Sequence, residues 1–191
     1  MAVVQGLTNL ITAFGLSTSA GLNAYIPLLV VSLIARYTDL VTLREPWDAL
    51  TSGWVIGVLV LLLLIEIFVD KIPAVDSVND VIQTVIRPVA GAILFAASSN
   101  VISDVHPVLA LICGLLLAGS VHVVKATTRP AVTSLTGGAG NALVSATEDL
   151  LSAITSLLAV LLPVLLAILL ILCVLIIGWW LWQRTRVRGT T

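Results

Sequence analysis

Two apolar runs, residues 55–65 and 89–97, enclose a stretch that carries Glu66, Asp70, Lys71, Asp76, Asn79, Asp80, Gln83 and Arg87. An ionised group at the centre of a bilayer costs roughly 2.5–3.5 kcal/mol even on the gentlest scale. Charges beside such runs must sit near an interface, in a water-filled cavity, or against one another. The rest of the chain leaves no soluble alternative. Its 191 residues are 59% hydrophobic and 10% charged, whereas soluble domains are about a quarter charged. The expectation is an all-α integral membrane protein with the lipid bilayer as its first partner. A net charge of -1 offers nothing to nucleic acid, so no nucleic-acid partner is expected.

Residues 3–16 repeat apolar side chains at helical spacing, with Gln5, Thr8, Asn9 and Thr12 on the other face. That pattern fits a helix on the membrane surface or one facing a polar cavity. Residues 15–21, rich in glycine and serine and bounded by Gly15 and Gly21, read as a break. Apolar helix resumes over 22–37, giving a broken or re-entrant first segment. No Lys or Arg precedes it, which argues against a secretory signal peptide. Residues 38–53 form a polar loop. A first helical hairpin spans 54–97, with a kink at Pro88. His106-Pro107 opens a second hairpin over 106–158, whose connection is a glycine-rich loop over 129–140. A final span over 159–183 leads to a basic tail, 184–191. The whole chain is one transmembrane domain of about six spans. Cys113 and Cys173 lie in apolar runs without metal-ligand spacing and read as ordinary hydrophobes.

Alternation of six spans gathers Lys71, Arg87, Lys125, Arg129, Arg184, Arg186 and Arg188 towards one side, against Arg36 and Arg44 on the other. The excess marks the cytoplasmic face. Both termini are expected there, unless the first segment crosses twice. Residues 72–78 and 129–135 share Pro-Ala-Val and a serine two positions on. Each follows an apolar span ending in charge, so the two hairpins are a candidate internal repeat, a common plan among transporters. The small chain makes a homodimer plausible on size alone.

Asp76, Asp80, Gln83 and Arg87 fall on one helical face, which must meet protein or water instead of lipid. Glu66 and Asp70 end one span; His122, Lys125 and Arg129 end another. Asn141 and Glu148 share a face with Ser145 and Ser152, and Asp149 lies beside it. Gly137, Gly138 and Gly140 precede that helix, where exposed backbone N–H groups bind anions. Each set has a plainer reading: helix caps, interfacial ion pairs, an ordinary turn. No P-loop, nucleophile elbow or paired-histidine motif is present, so no cofactor and no catalytic residue are assigned.

Five segments together resemble a family of small bacterial integral membrane proteins grouped as a domain of unknown function. They are Gly15-Leu-Ser-Thr-Ser-Ala-Gly-Leu-Asn-Ala-Tyr-Ile-Pro27; Glu66 with Asp70-Lys-Ile-Pro-Ala-Val-Asp-Ser77; Arg87-Pro-Val-Ala-Gly91; His122 with Lys125 and Arg129-Pro130; and Thr136-Gly-Gly-Ala-Gly-Asn141 with Glu148-Asp149. The resemblance implies a bacterial inner-membrane setting and supplies no activity.

The functional expectation is a small transporter or channel-like protein with a mixed-charge polar chamber near the cytoplasmic face. Its ligand would be a small anion or a lipid-linked phosphate. Lys71, Arg87, Lys125 and Arg129 would supply positive charge, and Glu66, Asp70, Asp80 and Glu148 would couple protons or cations. Two alternatives stay open. One is a metal-dependent enzyme acting on lipid head groups, with Mg²⁺ among the clustered carboxylates. The other is a structural or assembly subunit with no cavity.

Overall fold

A computed structural model describes residues 2–70, 73–99, 106–137 and 140–188. Among these residues every regular element is a helix. In chain order they are α1 (Ala2–Leu22), α2 (Tyr25–Tyr37), a 3-10 turn (Trp47–Thr51), α3 (Gly53–Val69), α4 (Pro73–Ser99), α5 (Pro107–Thr136), α6 (Asn141–Leu161) and α7 (Pro163–Arg188). Among the described residues, three stretches are long and apolar enough to cross a membrane: Val81–Ser98 in α4, α5 and α6. Tyr25–Tyr37, Gly53–Val69 and Ile171–Trp180 are shorter apolar helices.

The bundle is more apolar outside than inside. Leu61, Phe68, Val85, Leu116, Val124 and Ile176 are exposed, while Ser17, Ser19, Asn23, Ser32, Ser152 and Ser156 are fully buried. Lipid tails are as apolar as leucine, so no driving force pulls large hydrophobes inward. Small residues that allow close backbone approach, and polar ones that bond across helices, take the interior instead. This arrangement is that of a membrane protein.

Helix α1 is the axis. It packs against α2, α4, α5, α6 and α7. It runs antiparallel to α6, as three contacts along its length establish. Thr12 Oγ1 donates to the Ala159 carbonyl at 2.7 Å. Ser19 meets Ser152 and Ser156 at 2.8 and 2.7 Å. Asn23 Nδ2 donates to Asp149 Oδ1 at 2.8 Å.

The break expected over residues 15–21 falls instead at Asn23–Ala24, and residues 15–21 are continuous α-helix. Their weak helix formers serve packing. Ser17 Oγ donates to the Gly91 carbonyl at 2.9 Å. At Gly21, an added Cβ would lie 2.6 Å from the Ala118 carbonyl oxygen. The break itself is made by Asn23, whose Oδ1 accepts the Tyr25 and Ile26 N–H groups at 2.9 and 3.1 Å. Those are orphan donors of the first turn of α2, and Pro27 presents none. Replacing Asn23 with Ala is expected to cost about 1–2 kcal/mol through this cap, read as a lower melting temperature of the purified protein in detergent.

Helix α2 then folds back along α1, so that Val31 and residues 39–42 border the same cavity as Gln5, Thr8, Asn9 and Thr12. The first segment is thus two antiparallel helices. The N-terminal end of α1 lies away from Lys125 and Arg129, opposite to the side expected from a single crossing.

The sequence also placed a loop over 129–140. Helix α5 continues through Pro130 to Thr136 and ends at Gly137, whose φ of 62° is the left-handed cap that glycine adopts freely. Arg129 is buried on the inner face of this extra turn, which holds it helical. The shared Pro-Ala-Val therefore has two settings: Pro73 starts α4, whereas Pro130 lies inside α5. Helices α4 and α5 pack extensively against each other, across the boundary of the two sequence hairpins. There Gly91 and Gly114 put backbone against backbone.

Candidate functional site: a buried ion network

The polar side chains converge where the ends of α1 and α3, the first half of α4, the second half of α5 and the start of α6 meet. Arg87, at 1% exposure, pairs with Glu66, at 2%, with Nη2 to Oε1 at 3.1 Å. Arg87 Nη1 lies 3.2 Å from His122 Nδ1. A guanidinium only donates, so Nδ1 accepts. His122 Nε2, 3.0 Å from Thr84 Oγ1, then carries the ring proton.

Asp70 follows the last residue of α3 and joins three helices. Its Oδ1 accepts Asn79 Nδ2 at 3.1 Å. Its Oδ2 accepts Ser145 Oγ and faces Arg129 Nη2 at 3.6 Å. Lys125 Nζ meets Glu148 Oε2 at 2.7 Å and donates to the Leu22 carbonyl at 3.2 Å. That carbonyl is an orphan acceptor at the end of α1, where the helix dipole favours a cation.

The pairs form one electrostatic unit. Glu66 feels Arg87, Asp70 and Asp149. Asp149 feels Lys125, Asp70 and Arg87, and Lys125 feels Arg87, Glu148 and Arg129. Three cations thus stand among four carboxylates. Glu66 Oε2, Gln83 Oε1 and Arg87 Nε are buried with no hydrogen-bond partner among the described residues. Gln83 does meet the Tyr25 hydroxyl.

Of the residues expected at the site, the structure brings together Glu66, Asp70, Gln83, Arg87, His122, Lys125, Arg129, Glu148 and Asp149. Asn141 is buried at its edge and exchanges hydrogen bonds with Thr133 at 3.0 and 3.1 Å. Lys71 and Gly138 lie outside the described residues, as do the side chains of Asp76 and Asp80. Gly15 and Gly21 are buried inside α1. In the glycine-rich turn, Thr136 Oγ1 takes the Gly140 N–H at 3.0 Å. No group of three or more candidate metal ligands occurs among the described residues. Asn23, Thr84 and Tyr25 also join the site, beyond the residues assigned to it from the sequence. Only Asn23 and Tyr25 carried a signal, as polar groups beside the break.

Lys125 and Glu148 also floor a cleft of about 360 Å³, bordered by Leu22, Ser120, Val121, Val124 and Thr128. Its mouth lies on the outer face of α5, where Ser120, Val124 and Thr128 are exposed. A second groove, of about 380 Å³, runs along the other flank of α5 between Thr84, Pro88, Leu116 and His122.

An apolar helical bundle with a mixed-charge ion network in its interior defines a polytopic membrane protein with a buried polar site. The chain belongs to the family described as Domain of unknown function (DUF4126), which matches residues 10–184. No curated protein and no solved structure matches it.

Proposed function

We propose that the protein is a small membrane transporter that takes the anionic head group of a lipid-linked phosphate into its mixed-charge chamber. The membrane is a bacterial inner membrane, with the chamber and the C-terminus on the cytoplasmic side. One observation carries the reading: the Lys125–Glu148 ion pair is the floor of a cleft whose mouth opens on the exposed outer face of α5, the face a bilayer would cover. The walls of such a cleft suit a hydrocarbon chain, and its floor suits a phosphate. A free anion gains nothing from Leu22, Val121 and Val124.

The carboxylates of Glu148 and Asp70 occupy the places on Lys125 and Arg129 that phosphate oxygens would take. An entering head group displaces Glu148. Leaving both anions buried would cost several kcal/mol, so charge balance requires the displaced carboxylate to pick up a proton or reach water. The basic residues at this end support the cytoplasmic assignment. The paired carboxylates weigh against the metal-dependent enzyme, because Glu66, Asp70 and Glu148 each already face a cation.

Thermal unfolding in detergent tests the reading, with a polyprenyl phosphate, the uncharged polyprenol and inorganic phosphate as probes. The polyprenyl phosphate at a hundredfold its dissociation constant should stabilise the wild type by about 2.7 kcal/mol. The polyprenol should not, and Lys125→Ala should lose the effect. Equal stabilisation by inorganic phosphate would assign a free anion. No stabilisation by either phosphate, or an unchanged response in Lys125→Ala, would remove the proposal.

A further inference from the structure

At the end of the bundle away from the ion network lies a cavity of about 370 Å³. Its polar wall is Gln5, Thr8, Asn9, Thr12 and Asp39, and its apolar floor includes Leu16 and Val160. Asn9 Nδ2 is buried there without a hydrogen-bond partner among the described residues. Below the floor, the seam between α1 and α6 is polar for several turns. Ser156 Oγ meets Ser19 Oγ at 2.7 Å, and Ser19 Oγ meets Ser152 Oγ at 2.8 Å. All three serines are fully buried. One helical turn further along both helices, Asn23 holds Asp149, which belongs to the ion network.

We propose that this seam is a proton route from the far-side cavity to the buried ion network, with Leu16 as its plug. A hydroxyl relays a proton by accepting one on a lone pair while releasing its own, so its charge is unchanged after each transfer. Ser156, Ser19 and Ser152 are in contact for such a relay; the acceptor is the carboxylate of Asp149, about one helical turn from Ser152 on α6, reached through an entering water. The groups facing Asp149 are Asn23 on α1, Glu66 on α3, Asp70 just beyond it, Arg87 on α4, Lys125 on α5 and Glu148 on its own helix. A proton arriving there changes the charge of the whole set, which couples the far side to the ion pairs. Leu16, 1% exposed, lies between Thr12 and Ser19 on α1, where the water-accessible cavity ends. A hydrophobic constriction of this kind gates by excluding water. Simple interhelical bonding would explain the serines alone. It does not explain why the seam lies between a polar cavity and a charged network. The route needs only the cavity, the seam and Asp149. It goes beyond the head-group reading and stands or falls separately.

The test is proton entry into proteoliposomes that hold a pH-sensitive dye, driven by a potassium diffusion potential with no lipid phosphate present. Leu16→Ala should raise the rate over wild type by about tenfold as the plug is removed. Adding Ser19→Ala and Ser156→Ala should return it to the wild-type rate, whereas adding Lys125→Ala should leave it high. Should Leu16→Ala not fold, Leu16→Asn keeps the branched shape and carries the same expectations. A plug variant that elutes as a folded species yet conducts no faster than wild type would overturn the route. So would a rise that survives loss of both serines.

Discussion

Arg87→Ala is expected to destabilise the protein by about 3–5 kcal/mol, the largest effect of any single polar substitution here. The size follows from what is left behind. Glu66 is 2% exposed and loses the partner 3.1 Å away. His122 Nδ1 loses the donor that fixes its tautomer. A buried unpaired charge costs far more than the pair contributes. The double variant Glu66→Met with Arg87→Met separates these effects. Replacing a buried pair with hydrophobes of similar volume is often neutral or stabilising. The double variant should therefore recover most of the loss in thermal unfolding while giving up the charges. If single and double variants unfold at the same temperature, the ion pair does not set the stability of this region.

Gly114→Val is expected to have a comparable effect through sterics alone. A Cβ on Gly114 would meet the Gly91 carbonyl oxygen, Phe95 Cβ at 2.6 Å and Ala92 Cα at 2.8 Å. Two of those atoms are backbone, so no rotamer change relieves the clash and α4 must move away from α5. Overpacking of this kind costs about 1–3 kcal/mol and sometimes more. The displacement also pulls Thr84 and Arg87 on α4 from His122 on α5, across contacts of 3.0 and 3.2 Å. Gly57→Ala is the control. Nothing lies within 4 Å of a Cβ there, and removing glycine from the middle of α3 should be neutral or gain up to about 1 kcal/mol. Melting temperatures of the two variants in one detergent decide the matter. Equal melting would mean that the α4–α5 contact tolerates a wider spacing.

Both effects arise from residues whose types were visible in the sequence but whose partners were not. Arg87 and Gln83 share a helical face by spacing, and a polar face on a membrane helix has to point inward. Lys125 and Arg129 also share a face, so the charges could be expected to gather. Which carboxylate meets which cation was not legible. Arg87 finds Glu66, Lys125 finds Glu148 and Arg129 finds Asp70, and those choices depend on how the helices cross.

The glycines and serines misled in one consistent way. Residues 15–21 and 129–140 look like chain breaks because propensity counts only local cost. In the folded bundle Ser17, Ser19 and Gly21 lie within a helix, since small side chains let α1 approach α4, α5 and α6 and bond to them. Asn23 breaks the chain instead, because its side chain caps α2 and reaches α6 at once.

Composition and periodicity by themselves determined that the chain is helical, that it lives in a membrane, and that its ionisable groups must avoid lipid. Those conclusions rest on the cost of exposing charge and backbone to hydrocarbon, which is the same in any fold. Only the tertiary structure decided that α1 and α2 run back along each other, that α4 and α5 meet glycine to glycine, and that a serine seam points at Asp149. Such outcomes depend on which small residues face which neighbour across the interior, and close packing between distant helices leaves no periodic trace along a single strand of sequence.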